Sequence, residues 1–422
     1  SLPSGFRKRS LAERRELISR IYPFVTASAL GTDPEMVELA DVMVENAVGY
    51  LALPLGIATG FLIDGDLRDV PLATEEPSVV AAAGYAASIF RRHGGFTTSP
   101  GETVTTGELF VEYADATSAD RILQSRDELR GEAEPLLDGM TRRGGGWRGL
   151  DTQWLPGSAV LRIQVHVDVR DAMGANAVNS VMEALRAPTE RITGGRVVMA
   201  ILTNDSDRRV TRATGHVPVA ALTRGGVEGA EVARRIVLAN RIAREDRTRA
   251  VTHNKGIMNG VTALALATGN DTRALEAAVH AHAARDGSYR ALTEYAVEDD
   301  VLVAGISLPV ALGTIGGAAG IHPTSAAALA TLGNPGALEL AGIGASVGLA
   351  QNFAALYALV TEGIQRGHMG LHAHRIAWAA GARGDERQTV VTTMRERGAY
   401  GLDAAREALQ EIRSGRGASS AP

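Results

Sequence analysis

Apolar residues recur at helical spacing from Leu11 to Val48, so residues 10–50 are expected to be helical, with a break at Thr32-Asp33-Pro34. Thr32 or Asp33 is placed to cap the helix that Pro34 opens. Residues 51–75 read as short strands about a turn at Asp64-Gly65-Asp66. The Ala-rich run 78–95 predicts a buried helix stopped by its glycine pair.

From residue 104 the rhythm changes. Residues 104–114 alternate as a strand does, and 118–140 read as a helix with Pro135 as its kink or break. Two strands, 146–155 and 158–169, flank a Pro156-Gly157 turn; a helix over 171–193 and a strand over 194–205 follow. The order βαββαβ is that of a ferredoxin-like unit, set between two halves of a larger domain. Beyond 228 the chain reads as mostly helical, with a Gly-rich interruption at 313–325. The long apolar stretch 336–367 is expected to break near Gly342–Gly348. A charged helical unit begins at Arg375, and the tail 414–422 is expected to be disordered. No internal repeat is evident.

A chain of 422 residues exceeds one ordinary core, so two or three domains are expected. No stretch reads as a membrane span, and the basic N-terminus lacks the apolar segment of a secretory signal, which points to the cytoplasm. The absence of cysteine excludes disulfides, thiolate metal sites and a cysteine nucleophile. A net charge of −5 argues against a nucleic-acid partner. Lysine is very rare beside arginine, which makes Lys255 conspicuous, because an ammonium can shift its pKa and pass a proton where a guanidinium cannot.

Residues 248–271 gather Arg249, Lys255, Asn259 and Asp271 among glycines at 256, 260 and 269. The neighbouring VTALALAT run sets Lys255 at the edge of a core, where a cation needs a carboxylate or a substrate oxygen. Asp271 is the expected carboxylate, so a structural salt bridge and an oxyanion-binding ammonium both fit. Glu75-Glu76-Pro77-Ser78 suits a helix start, with acids favoured by the dipole and Pro77 at the first helical position. No G-x-G-x-x-G follows a strand, and GIGASVG (342–348) reads as close helix packing. DAMGAN (171–176) stands where a strand enters a helix, either as a capped helix start or as a place where Gly174 lets the backbone approach a diphosphate. His368, His372 and His374 share helical spacing without an acidic partner, so no metal is expected.

Five segments, in order, resemble class II hydroxymethylglutaryl-coenzyme A reductase: ENAVG (45–49), EEPSVVAAA (75–83), DAMGAN, HNKGIMNG with TGND (253–271), and TEGIQRGHMGLH (361–372). The likeness runs from about residue 7 to about residue 385. It implies an α+β protein with a large mixed α/β catalytic domain (1–102 and 207–372), an inserted ferredoxin-like nicotinamide domain (103–206) and a C-terminal helical flap with its tail (373–422). The implied reaction interconverts hydroxymethylglutaryl-coenzyme A and mevalonate plus coenzyme A by two hydride transfers. Lys255 would stabilise the oxyanion, Glu76 would donate a proton, Asp271 would tune both from close by, and His368 would protonate the departing thiolate. Arg249, Ser78, Asn259, Gln351, Glu45 and Asn46 would hold substrate, and Arg7 would meet coenzyme A phosphates. Asp171, Met173, Gly174, Asn176 and Asn204 would contact the cofactor, NADH or NADPH. Counting back from Gly144 sets Leu137 where NADH-using relatives carry a ribose-binding acid, with Arg142 and Arg143 nearby to accept a 2′-phosphate. A homodimer, or a hexamer of dimers, is the implied assembly. Two rival readings are another coenzyme A-thioester enzyme, a hydrolase in which Glu76 and Asp271 activate water, and a non-catalytic binding protein.

Overall fold

The computed structural model describes residues 2–415, and within that span it describes no side chains at 364–371. An N-terminal arm carries α1 (Leu11–Ile21) and α2 (Pro34–Met43), the latter capped by Asp33 with Pro34 in its first turn. The break between them spans twelve residues rather than a single kink. Arg15 ties the arm together, donating to Val48 O (2.7 Å) and Gly31 O (2.8 Å). Phe24 (94% exposed), Leu51 (87%) and Val42 (74%) face outward on or just after the arm.

The first sheet begins with β1 (Leu55–Ile63) and β2 (Asp66–Ala73), joined at Asp64-Gly65, both with positive φ, as a tight hairpin requires. After α3 (Val79–Arg91) comes β3 (Phe96–Ser99), the one parallel neighbour of β1.

The chain then builds a second sheet from β4 (Val104–Glu112), α4 (Ser118–Gln124), α5 (Arg126–Thr141), β5 (Gly146–Leu155), β6 (Val160–Asp168), α6 (Ala175–Ala184), α7 (Arg186–Thr193) and β7 (Arg196–Leu202). Its order, β5-β6-β4-β7, is antiparallel throughout and is the ferredoxin-like arrangement. The helical break falls at Ser125; Pro135 is accommodated inside α5. Leu109, Ile163, Val165, Leu137 and Val181 fill a core of their own between sheet and helices.

The first sheet resumes with β8 (Val210–Pro218). There follow α8 (Gly229–Glu245), α9 (Arg247–Ala267), α10 (Thr272–Ala283), β9 (Thr293–Glu298), β10 (Val301–Pro309), α11 (Pro323–Thr331) and α12 (Ala337–Val360). The six strands run β2-β1-β3-β8-β10-β9. The β9–β10 hairpin departs from the mostly helical reading of this region: Asp299 and Asp300 both take positive φ and turn the chain between two alternating strands.

Nor does α12 break at its glycines. They are the points where other elements come closest: a Cβ at Gly342 would stand 2.7 Å from Thr98 Oγ1, and one at Gly348 would stand 2.9 Å from Val261 Cγ2. By length and composition α12 could cross a membrane, but most of it is buried inside the protein. The chain ends in α13 (Ile364–Ala379), α14 (Asp385–Arg397) and α15 (Leu402–Arg413), with a third core around Ala377, Val391, Met394 and Leu409. Of the tail 414–422, residues 416–422 lie outside the described residues.

Candidate active site

The long helix α9 starts at a cap in which Asp246 accepts the Arg249 N–H (2.6 Å). It then runs unbroken, so Lys255, Asn259, Thr262 and Leu266 recur every three or four residues along one face. That face walls a cavity of about 290 Å³ with Glu75 and Glu76 on the facing wall. Glu76 sits in the turn between β2 and α3, its N–H held by Thr74 Oγ1 (3.1 Å). Ser78, rather than a residue before Pro77, is the N-cap of α3; Pro77 therefore precedes the helix instead of opening it. Ser78 has φ 78°, a left-handed backbone that costs a non-glycine residue roughly 1–2 kcal/mol. Such strain gathers at functional turns.

Lys255 Nζ donates to Glu76 Oε2 at 2.9 Å. The two side chains are 60% and 42% exposed, so Lys255 stands open at a cavity mouth rather than at the edge of a core. An ion pair this exposed stabilises a fold by under about 1 kcal/mol. Structural glue is therefore a weak account of a pair joining residues 179 apart in sequence.

Asp271 does not join this pair. Helix α9 continues twelve residues past Lys255, about 18 Å at 1.5 Å per residue. Asp271 lies beyond that far end as the N-cap of α10, accepting from the backbone N–H of Arg273 (2.9 Å) and Ala274 (3.1 Å) and from Arg273 Nε (3.3 Å). Partial burial works to raise its pKa, but the Ala274 amide and the Arg273 guanidinium outweigh this and hold it below the ordinary aspartate value. Within one chain it therefore neither neutralises Lys255 nor lies beside Glu76.

Asp271 faces a second cavity, of about 470 Å³, between the two sheets' units. Met173, Gly174 and Asn176 line it from one side, Gly269 to Asp271 from another, and the Gly-rich loop 313–319 from a third. Gly174 turns the chain into α6 with φ 90°, and a Cβ there would meet Val169 Cγ1 at 2.3 Å, so the site requires glycine. Gly316 and Gly317 open onto free space. A glycine turn delivering a helix N-terminus to an open cavity suits a dinucleotide's diphosphate.

Two residues lock this cavity. Asn270 pairs with both backbone groups of Gly313, accepting from its N–H (2.7 Å) and donating to its carbonyl (3.0 Å). The Asp171 carbonyl accepts from Thr314 N (2.8 Å), while its carboxylate caps α12 at Ala337 N (2.9 Å). The Asp171 side chain is thus engaged by α12 rather than turned into the cavity. Sequence reading passed over Asn270 and took residues 313–325 only as an interruption; the run of glycines was the available signal.

The Lys255 cavity also has a wall that sequence reading missed. Glu276 accepts from Thr262 Oγ1 (2.7 Å) and pairs with His280 Nε2 (2.9 Å), and His280 Nδ1 meets the Tyr289 hydroxyl (2.7 Å). The His280 contact, aided by Thr262, holds the Glu276 pKa low against its partial burial.

The remaining expected site residues are dispersed in the single chain. Arg7, Glu45 and Asn46 belong to the N-terminal arm, Asn204 is exposed after β7, and Arg249 is half-buried in the first turn of α9. Gln351 is buried on α12 against Gly260, its Oε1 without a hydrogen-bond partner among the described residues. His368 falls within α13, and its side chain lies outside the described residues. Leu137 is fully buried in the core of the second sheet, so the residue expected to face the adenosine ribose faces inward instead.

Comparison with known proteins gives one consistent family. The family model for hydroxymethylglutaryl-coenzyme A reductase matches residues 10–373. The 3-hydroxy-3-methylglutaryl-coenzyme A reductase of Archaeoglobus fulgidus is 44% identical over 97% of this chain and 94% of its own length. A probable reductase of the same name from Borreliella burgdorferi is 34% identical over 98% and 96%. Among solved structures, the Streptococcus pneumoniae reductase superposes with a TM-score of 0.76 at 38% identity, covering 97% of this chain and 99% of that one. A class II form from the same organism, bound to NADPH in open conformations, gives 0.75 at 38% identity, over 96% and 100%.

Proposed function

Since this chain belongs to the hydroxymethylglutaryl-coenzyme A reductase family, we infer that its two cavities are halves of one catalytic centre, completed by a second copy of the chain. The protein is a class II hydroxymethylglutaryl-coenzyme A reductase that uses a reduced nicotinamide. The cofactor supplies a hydride to the substrate carbonyl carbon in each of two reductions. In the first, hydride and a proton convert the thioester to a hemithioacetal, which collapses to mevaldehyde and coenzyme A thiol. In the second, hydride and a proton convert the aldehyde to the alcohol of mevalonate.

The chain's own residues handle charge and protons. Lys255 holds the carbonyl oxygen as negative charge develops. Glu76, hydrogen-bonded to Lys255, passes a proton to that oxygen. Asp271, brought by the partner copy together with its cofactor cavity, adds a second carboxylate beside the Lys255–Glu76 pair. His368, in the flap, protonates the departing thiolate. Asn259 lines the Lys255 cavity and orients the acyl group; Ser78 and Arg249 complete its binding, and Gln351 backs α9 from behind at Gly260. Glu45, Asn46 and Arg7 act from the arm, which in an intertwined pair reaches the other copy's site. The nicotinamide cavity is formed by Met173, Gly174 and Asn176, with Asn204 at its rim and Asp171 fixing the loop from behind. We take NADPH as the cofactor, with Arg142 and Arg143, at the end of α5 beside the cavity residue Met140, meeting its 2′-phosphate.

The corresponding division of the chain is a large catalytic domain (1–102 and 207–372), an inserted cofactor domain (103–206) and a flap with its tail (373–422). We assign the enzyme to the cytoplasm as a homodimer or a hexamer of dimers.

The observation that carries this reading is the Lys255–Glu76 contact at the mouth of one cavity, with Asp271 in another. Mixing Lys255→Ala with Asp271→Ala chains tests it. Each variant alone is expected to be inactive in oxidation of NADPH by hydroxymethylglutaryl-coenzyme A. Random exchange should restore roughly a quarter of wild-type activity, because half the dimers regain one intact site. No restoration after confirmed exchange would overturn the shared centre.

A further inference from the structure

We propose that a cleft at the junction of α8, α9 and β9, apart from both cavities above, is a binding site for a diphosphate-bearing anion. The cleft holds about 920 Å³. Four arginines line it, Arg241, Arg244, Arg247 and Arg290, against two glutamates, Glu245 and Glu294. Arg244 is matched by Glu294. Arg241, Arg247 and Arg290 form no ion pair among the described residues, in a chain whose other arginines are widely paired with carboxylates. An adjoining cavity adds Arg212 and Arg285 against one further carboxylate, Asp286. So much uncompensated cationic charge stands out in a protein of net charge −5. Guanidinium groups brought together repel one another, and an anion bridging them relieves that repulsion while taking bidentate hydrogen bonds.

The dimensions and donors select the ligand class. One carboxylate is too small to engage several guanidinium groups around such a volume. A nucleic-acid backbone would meet Glu245 and Glu294 on the walls and an acidic protein beyond them. A diphosphate concentrates two or more charges in a group small enough for the cleft, and the Ser288 hydroxyl beside the arginines is a further donor.

Occupancy has a path to the catalytic wall. Asn254, next to Lys255 on α9, donates to Arg290 O (2.8 Å) and accepts from Leu292 N (3.1 Å). Tyr289 reaches from the cleft to His280, which lines the Lys255 cavity. An anion drawing in Arg290 therefore pulls on Asn254 and, through the neighbouring Tyr289, on His280, both supports of the Lys255 face.

The test is calorimetric titration of the full chain with inorganic diphosphate at low ionic strength, where the outcome does not depend on the catalytic assignment. Wild type should bind, and Arg247→Ala/Arg290→Ala should bind at least tenfold more weakly with an unchanged Tm, since both side chains are exposed. Arg130→Ala, an exposed arginine on α5, should bind as wild type does. No binding, or equal weakening by Arg130→Ala, would overturn the site. Kinetics then identify the source of the phosphates. If diphosphate competes with hydroxymethylglutaryl-coenzyme A, and the double variant raises KM for that substrate but not for its pantetheine thioester, the cleft takes the nucleotide end of coenzyme A. If inhibition or activation is non-competitive, it takes a separate phosphorylated metabolite. Either pattern supports the site.

Discussion

At the scale of single residues, the structure separates roles that share one side chain. Asp271 is both a helix cap and a proposed catalytic carboxylate. Asparagine caps nearly as well as aspartate, while alanine loses the cap at about 1 kcal/mol. Asp271→Asn should therefore keep the wild-type Tm while losing reductase activity, and Asp271→Ala should lose both. Retained activity in Asp271→Asn would leave only the cap. The depressed Asp271 pKa adds stability above the unfolded value near 4, and this is lost as pH falls through the lower folded value.

His253 behaves differently on acidification. Burial, and then the charge of Arg249, push it down to about 3, so it stays neutral in the fold between Thr293 and Asn352. The unfolded chain takes up that proton near pH 6.5, so His253 costs stability as pH falls from about 6.5 toward 3, at up to about 1.4 kcal/mol per pH unit. Urea unfolding of His253→Asn between pH 7 and 4 should show a shallower pH slope than wild type. At Leu137 an aspartate would enter a closed core rather than meet a ribose. Leu137→Asp should unfold the cofactor domain, read as a lowered Tm, instead of changing nicotinamide preference.

At the scale of elements, the decisive contact is α9 on α12. The face of α9 opposite Lys255 presents Gly260 to Val347 and Gln351, and a Cβ there would come within 2.8 Å of Val347 Cγ1. Alanine in a helix gains up to about 1 kcal/mol over glycine, but overpacking a tight contact costs about 1–3 kcal/mol, so the clash should win. Gly260→Ala is expected to lower Tm, and Val347→Ala in the same chain to restore part of the loss. Additive effects in that double-mutant cycle would mean the helices are not in tight contact. The elements were also where sequence periodicity misled. An Ala- and Gly-rich helix such as α12 has no polar face, so its glycines looked like stops when they are points of close approach. The β9–β10 hairpin lies among long helices, and its short alternation was outweighed by theirs.

For the whole molecule, the exposed apolar residues Phe24, Leu51 and Val42 and the separation of Asp271 from Lys255 fit one arrangement, in which a second copy covers the arm. Leu51→Asp should weaken association, seen as slower sedimentation and as activity that falls on dilution. Unchanged activity on dilution would detach the arm from the active site.

The chain alone determined the family likeness, the βαββαβ insertion and the residue types of the chemistry, because these rest on local order and short spacings. Asn259 four residues after Lys255 shares its cavity, as helical spacing requires. Glu76, 179 residues from Lys255, was named by its motif, but its contact with Lys255 was not. Folding alone decided that Lys255 meets Glu76 and not Asp271, since a rigid helix holds its two ends apart however near they lie in sequence. Folding also assembled the arginine cleft, whose members belong to α8, α9 and a distant loop and form no motif when read in line.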